Sequence, residues 1–314
     1  MTKKIMWTGL IVALLATGCA GAAAPQGSTA SGKFKVVATT SILGDFVQNV
    51  GGDKVEVRTL VGAGRDAHTF EPSPADGVAL AEAQLVFENG LEFETWLDDL
   101  YTASDSKAER VVVTEGLEPL AAPEGEHAEE GEHERGEFDP HIWHDVTHAI
   151  RMVQNVRDAL VKADPANAQT TQSNAEAYIA QLQELDAWVL EQVKALPEDR
   201  RRLVTSHDTF GYFAARYGFA IVGTALGSLS TEVADPSAGE IAKLVEDIKA
   251  ASVPAIFAEN VSNPKLMEQI ANEAGVQLAP KLYTDALDAP GSDGETYLKM
   301  IRYNVTTIVT ALSQ

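Results

Sequence analysis

Apolar positions change their spacing repeatedly along this chain, and each change marks an element. Residues 33–41 (KFKVVATTS) form a near-continuous apolar run, the mark of a strand covered on both faces. Residues 55–61 alternate apolar and polar and read as a second strand. A short helical segment at 78–83 leads into a strand at 85–88, then a helix over 93–101 and a strand at 111–114. A helix capped by Asp145 runs to Lys162. Asp164-Pro165 then opens a long helix that ends near Leu196-Pro197, with apolar residues recurring at Tyr178, Ile179, Leu182, Leu185, Trp188, Val189 and Val193. Roughly thirty helical residues span about 45 Å. The second half alternates strands at 203–206, 219–224, 255–258 and 278–283 with helices at 210–217, 237–250, 264–274 and 295–312.

Strands alternating with helices predict βαβ units and largely parallel sheets. A helix that long in mid-chain reads as a spine. The expected fold is therefore α/β: an N-terminal lobe over 33–163, a linker helix over 164–197 and a C-terminal lobe over 198–314. Residues 121–139 break the pattern, because 124–137 hold seven glutamates, two histidines and one arginine with no apolar period. This reads as a solvated acidic loop.

The N-terminus has the basic, apolar, small-residue order of an export signal over residues 1–18, too short to span a bilayer. Cys19 is the only cysteine, so it forms no internal disulfide. The small residues before it resemble a bacterial lipobox, which predicts a lipid anchor at Cys19 and a flexible tether over 19–32. Losing Lys3 and Lys4 with residues 1–18, which hold no acid, takes the formal charge from −22 to −24. Such acidity excludes nucleic acid as a partner and leaves the lipid as the sole membrane attachment. It suits a soluble body that attracts cations.

Four candidate ligands are dispersed over this framework. His68 lies in a loop kept irregular by Pro72 and Pro74, and His141 in Asp139-Pro140-His141-Ile142-Trp143-His144-Asp145. His207 follows the strand at 203–206 and precedes Asp208, a candidate cap for the next helix; Asp285 follows Lys281-Leu282-Tyr283-Thr284. All four fall where a strand ends or a loop begins, two in each half, and α/β sheets bind ligands beyond the carboxyl ends of their strands. Three imidazoles and a carboxylate fill a tetrahedral shell around zinc, which holds metal without leaving a catalytic position.

The chain resembles the solute-binding receptors of bacterial zinc and manganese ABC importers, through HTFEPSP at 68–74, DPHIWHD at 139–145, SHDTFGYF at 206–213, FAENVSNPK at 257–265 and LYTDALDAPG at 282–291. The resemblance implies two α/β lobes joined by a rigid helix, one divalent ion held by His68, His141, His207 and Asp285, and delivery to a membrane permease. It also implies a monomer, extracytoplasmic, lipid-anchored or periplasmic, and no enzyme. Imidazole at 207, where manganese receptors of this type often carry Glu, favours Zn2+ over Mn2+ or iron. His127 and His133 of the acidic loop are accessory metal candidates; weak zinc gathering and a merely solvated insert both remain open. A competing reading takes His144-Asp145-Val146-Thr147-His148 as an imitation of the HExxH zinc-hydrolase motif. Asp in place of Glu, and Asp145 as a helix cap that leaves His144 outside the helix, count against it. His144 is then expected behind the ligands or at the surface, and His148 on a helix face.

Overall fold

The apolar run after Lys33 forms β1 (Phe34–Thr40), whose last five residues are all buried. In this computed structural model, which describes residues 1–2, 32–122 and 137–314, β1 lies inside a parallel sheet ordered β2-β1-β3-β4. Its partners are β2 (Val55–Val61), β3 (Leu85–Glu88) and β4 (Glu109–Val112). The interior strand β3 is wholly buried, whereas the edge strand β2 alternates and β4 is mostly exposed. Run or alternation in the sequence thus reports whether one or both faces are covered. Helices α1 (Ser41–Gly51), α2 (Pro74–Glu82) and α3 (Leu97–Ala103) connect these strands. The expectations for residues 3–31, Cys19 included, and for His127 and His133 lie outside the described residues.

The second lobe is built from two parallel pairs, β5 (Arg202–Thr205) with β6 (Ala220–Thr224) and β7 (Ala255–Glu259) with β8 (Gln277–Leu282), and β5 packs beside β7. Register shifts fall between Leu203 and Val204 and between Phe257 and Glu259, at the ends that lead to the site. Such irregularities end pairing and re-aim side chains. Helices α6 (Gly211–Tyr217), α7 (Ala238–Ala251), α8 (Lys265–Ala274) and α9 (Tyr297–Leu312) complete the lobe.

Two helices connect the lobes' sheets. Asp145 caps α4 (Val146–Ala163) by accepting from the Thr147 N–H. The long helix starts later than the Asp-Pro signal predicts: Asp164 closes α4, Pro165–Asn167 forms a 3-10 turn, and α5 runs from Ala168 to Lys194. Its 27 residues make a rod of about 40 Å. One face, Thr171, Ala175, Tyr178, Leu182, Leu185, Val189 and Val193, is buried at steps of three and four. That face packs on α1 and α4 of one lobe and on α6 and α9 of the other. Polar pins reinforce it. Asp45 of α1 accepts from the Tyr178 hydroxyl at 3.0 Å and from the Tyr297 N–H at 3.2 Å, while Asp186 accepts from Arg216 at 2.6 Å and from the Tyr217 hydroxyl at 2.9 Å. Hydrogen bonds to charged groups contribute about 1.5–3 kcal/mol each, so α5 is fastened to both lobes as a rigid rod.

Candidate metal centre

The loop after β2 carries His68. Asp66 Oδ1 accepts the His68 N–H at 2.9 Å, and Trp96 donates to the Ala67 carbonyl at 3.0 Å. The same local device recurs at His141, whose N–H donates to Asp139 Oδ1 at 2.9 Å. An Asp two residues ahead of a His therefore fixes the backbone turn at both places. Asp139 Oδ1 also accepts from His141 Nδ1 at 2.8 Å, and Phe93 stands edge-on to both imidazoles. His207 leaves the end of β5. Glu259, at the end of β7, accepts from Ser206 N–H at 2.8 Å and His207 N–H at 3.1 Å through Oε1, and from His207 Nδ1 through Oε2. Asp285 follows β8, held by Asn260, which accepts the Thr284 N–H at 3.0 Å. Trp143 crosses from the first lobe to donate to the Thr284 carbonyl at 3.0 Å.

These supports bring the four residues together. One donor atom from each of His68, His141, His207 and Asp285 lies within 4.8 Å of the others. His68 Nε2 is 3.3 Å from His141 Nε2 and 3.5 Å from Asp285 Oδ2; His207 Nε2 is 3.2 Å from that same oxygen, and His141 Nε2 is 3.8 Å from Oδ1. A tetrahedron of zinc ligands at about 2.0–2.1 Å has edges of about 3.3–3.4 Å. With Nδ1 of His141 and His207 donating to carboxylates, both rings turn Nε2 inward, the tautomer that ligates. His207 Nε2 and Asp285 Oδ2 are buried and close enough for an ion pair but off line for a hydrogen bond, so neither has a hydrogen-bond partner among the described residues. Buried polar atoms left this way call for a further occupant.

Electrostatics agree. Burial by itself would lower the His207 pKa, but Glu259 and Asp285 outweigh it and hold it well above the ordinary value. Burial would raise Asp285, but His207 and His141 bring it well below the ordinary carboxylate range. Each partner thus favours the charged form of the other, His207 as imidazolium and Asp285 as carboxylate. His68 is 7 % exposed at its side chain and the other three are closed off, so access is past His68. A cavity of about 630 Å³ is lined by Asp66 and Thr69, which flank His68 in the chain, by Ser206, which precedes His207, and by Thr231, whose hydroxyl donates to Asp66.

His144 and His148 stand apart from this cage. His144 is buried, not at the surface, its ring 4.6 Å from that of Phe210, and neither ring nitrogen has a hydrogen-bond partner among the described residues. His148 lies on α4 with Nδ1 3.9 Å from Asp145. Asp208 does not cap α6: its N–H donates to the Ser228 carbonyl, and Phe210 precedes the helix without a side-chain cap. Sequence reasoning assigned no role to Asp139 or Glu259. The signal for Asp139 was the repeated Asp-x-His spacing. For Glu259 it was a carboxylate ending a wholly apolar strand.

Two lobes with parallel sheets, a connecting rod and a closed four-donor cage between strand ends define a binding receptor for a divalent metal. The ZnuA family, described as zinc-uptake complex component A, periplasmic, matches residues 36–311. The chain belongs to this family, and is thereby an extracytoplasmic metal-binding receptor of an ABC importer, working with a membrane permease and its ATPase rather than as an enzyme. It is similar to the manganese-binding lipoprotein MntA of Halalkalibacterium halodurans, 36% identical over 99% of this chain and 100% of that protein. It is 33% identical to the metal ABC transporter substrate-binding lipoprotein FimA of Streptococcus parasanguinis, over the full length of both. Its fold resembles that of the periplasmic zinc binding protein TroA from Treponema pallidum, with a TM-score of 0.79 and 33% identity over 90% of this chain and 100% of that one. Among the described residues no helix is long and apolar enough to cross a membrane.

Proposed function

We propose that the protein captures one Zn2+ per chain on the Nε2 atoms of His68, His141 and His207 and on Asp285, and delivers it to the permease. The observation that carries this reading is the convergence of the four donors, three of whose separations, 3.2, 3.3 and 3.5 Å, lie close to the edge of a tetrahedral zinc shell. Imidazole also suits zinc, whereas manganese favours oxygen donors and larger coordination numbers. The cargo enters past His68 and displaces the Nε2 proton of a charged His207. The rod α5, pinned to both lobes, limits their relative movement, so that release depends on docking. The lone cysteine, Cys19, is the proposed lipid attachment, and the chain acts as a monomer.

Manganese is the second reading, favoured by the similarity to the manganese-binding lipoprotein of H. halodurans and by the carboxylate at Asp285. Titrating the metal-free protein without residues 1–19 with zinc and with manganese separates the two. The zinc reading expects one equivalent and tighter zinc binding by at least a hundredfold, about 2.7 kcal/mol. Comparable affinities, or manganese binding the tighter, overturn it.

A further inference from the structure

The motif SHDTFGYF at 206–213 holds a glycine that the metal centre leaves unexplained. Gly211 is the first residue of α6, and its φ is not positive, so its backbone is one that any residue adopts. Alanine is also the better helix former. Conformation therefore does not call for glycine here, but space does. A Cβ on Gly211 would lie 2.6 Å from Asp139 Oδ2, closer than van der Waals contact allows, and 3.8 Å from the Leu120 side chain. Asp139 belongs to the other lobe. Its carboxylate is buried and already engaged, because Oδ1 accepts from the His141 N–H at 2.9 Å and from His141 Nδ1 at 2.8 Å. The next residue of α6 holds the same segment: the Tyr212 hydroxyl donates to the Asp139 carbonyl at 2.7 Å and accepts the Leu120 N–H at 2.9 Å.

From this close approach we infer that Gly211 is a positioning residue of the metal centre: its missing side chain makes room in the second lobe for the carboxylate that orients His141 in the first. A methyl group there would have to push Oδ2 back from 2.6 Å to beyond 3.0 Å. A carboxylate is rigid, so Oδ2 cannot retreat without moving Oδ1. The hydrogen bond to Nδ1 then bends, and with it turns the direction in which Nε2 faces the cage. Because the glycine and the carboxylate lie on different lobes, His141 is fully oriented only when the two lobes are packed together at α6. The inference rests on the four-donor site proposed above and adds to it the residue through which one lobe sets a ligand of the other.

The test is a double-variant cycle in the otherwise unaltered protein, with zinc affinity read by chelator competition and folding of the metal-free protein by circular dichroism and urea titration. Gly211→Ala lowers zinc affinity by roughly tenfold, the lower end of what loss of an outer partner brings, because the bond is distorted rather than removed. Its urea midpoint does not fall. Asp139→Ala removes the group that the methyl would strike, so adding Gly211→Ala to it changes affinity by less than about twofold. Gly239→Ala, at the second residue of α7, is the control for replacing a helical glycine: its Cβ would meet Ser237 Oγ at an ordinary 3.8 Å, and zinc binds as in the parent. A folded Gly211→Ala within about twofold of the parent overturns the inference. So does an equal loss in Gly239→Ala, or a loss that persists undiminished in the Asp139→Ala background, since the glycine would then act by another route. If Gly211→Ala does not fold, the double variant decides: folding restored by Asp139→Ala supports the contact, and folding not restored overturns it. His141→Ala separates this inference from the site reading. If His141→Ala binds zinc as the parent does, both fall; if it loses zinc while Gly211→Ala keeps it, the role of Gly211 alone falls.

Discussion

Glu259→Gln tests how the cage is held, because it removes a charge and leaves the shape. Glu259 has no exposed side-chain surface and accepts four hydrogen bonds: from the Ser206 and His207 N–H groups through Oε1, and from His207 Nδ1 and the Thr284 hydroxyl, the last at 3.4 Å, through Oε2. A glutamine can keep its carbonyl oxygen under the two backbone donors, but its NH2 then meets the Nδ1–H of His207. Two donors cannot share that contact. The imidazole must move its proton to Nε2, which takes away the lone pair that ligates. The opposite amide orientation restores the contact with Nδ1 but sets NH2 against two backbone donors. Either way a charge-assisted hydrogen bond of about 1.5–3 kcal/mol is lost. Loss of such an outer partner lowers metal affinity about 10- to 100-fold, or about 1.4–2.7 kcal/mol, so the two magnitudes coincide. Zinc affinity should be measured by chelator competition at pH 7.5, with circular dichroism to establish folding. A folded Glu259→Gln that binds zinc within about twofold of the parent would refute the claim that Glu259 dictates the His207 tautomer.

Three further outcomes are expected. Zinc affinity falls with pH by about tenfold per unit once His207 is protonated, because one proton must leave that ring; since its pKa is raised, the decline begins above 6.5, and an affinity independent of pH between 8 and 6 would contradict it. Burial foremost, with His141 adding to it, lowers the pKa of His144 from 6.5 to about 3, so the unfolded chain takes up a proton that the fold refuses. Stability is therefore lost as pH falls below about 6.5, by about 1.4 kcal/mol from pH 7.5 to 5.5; urea titrations should show that His144→Phe abolishes this part of the acid loss. Deleting residues 124–137 should leave one equivalent of zinc bound at unchanged affinity in calorimetry, and loss of stoichiometric binding would undo the site assignment.

Local periodicity was sufficient for much of this molecule. Interior strands such as β1 and β3 read as apolar runs because both faces are covered, and the buried seam of α5 announced itself at helical spacing before any partner was known. At short range a signal was present but unused: Asp139 and Asp66 each stand two residues ahead of a histidine and accept its N–H. The motifs spread over 68–291 pointed to the family and to four ligand candidates. What the sequence could not express was any property that depends on residues distant in the chain. Glu259 meets His207 across 52 positions, and Thr209 meets Asp285 across 76, because β5 and β7 lie side by side and β8 ends next to them. The burial of His144 and the late start of α5 were likewise set by neighbours: Phe210 covers the ring, and the end of α4 takes Asp164 for itself. Hydrophobic spacing specifies elements because their periods are built into the backbone. Convergence of side chains into one cage is decided only when those elements pack, since packing alone determines which donors face one another and at what distance.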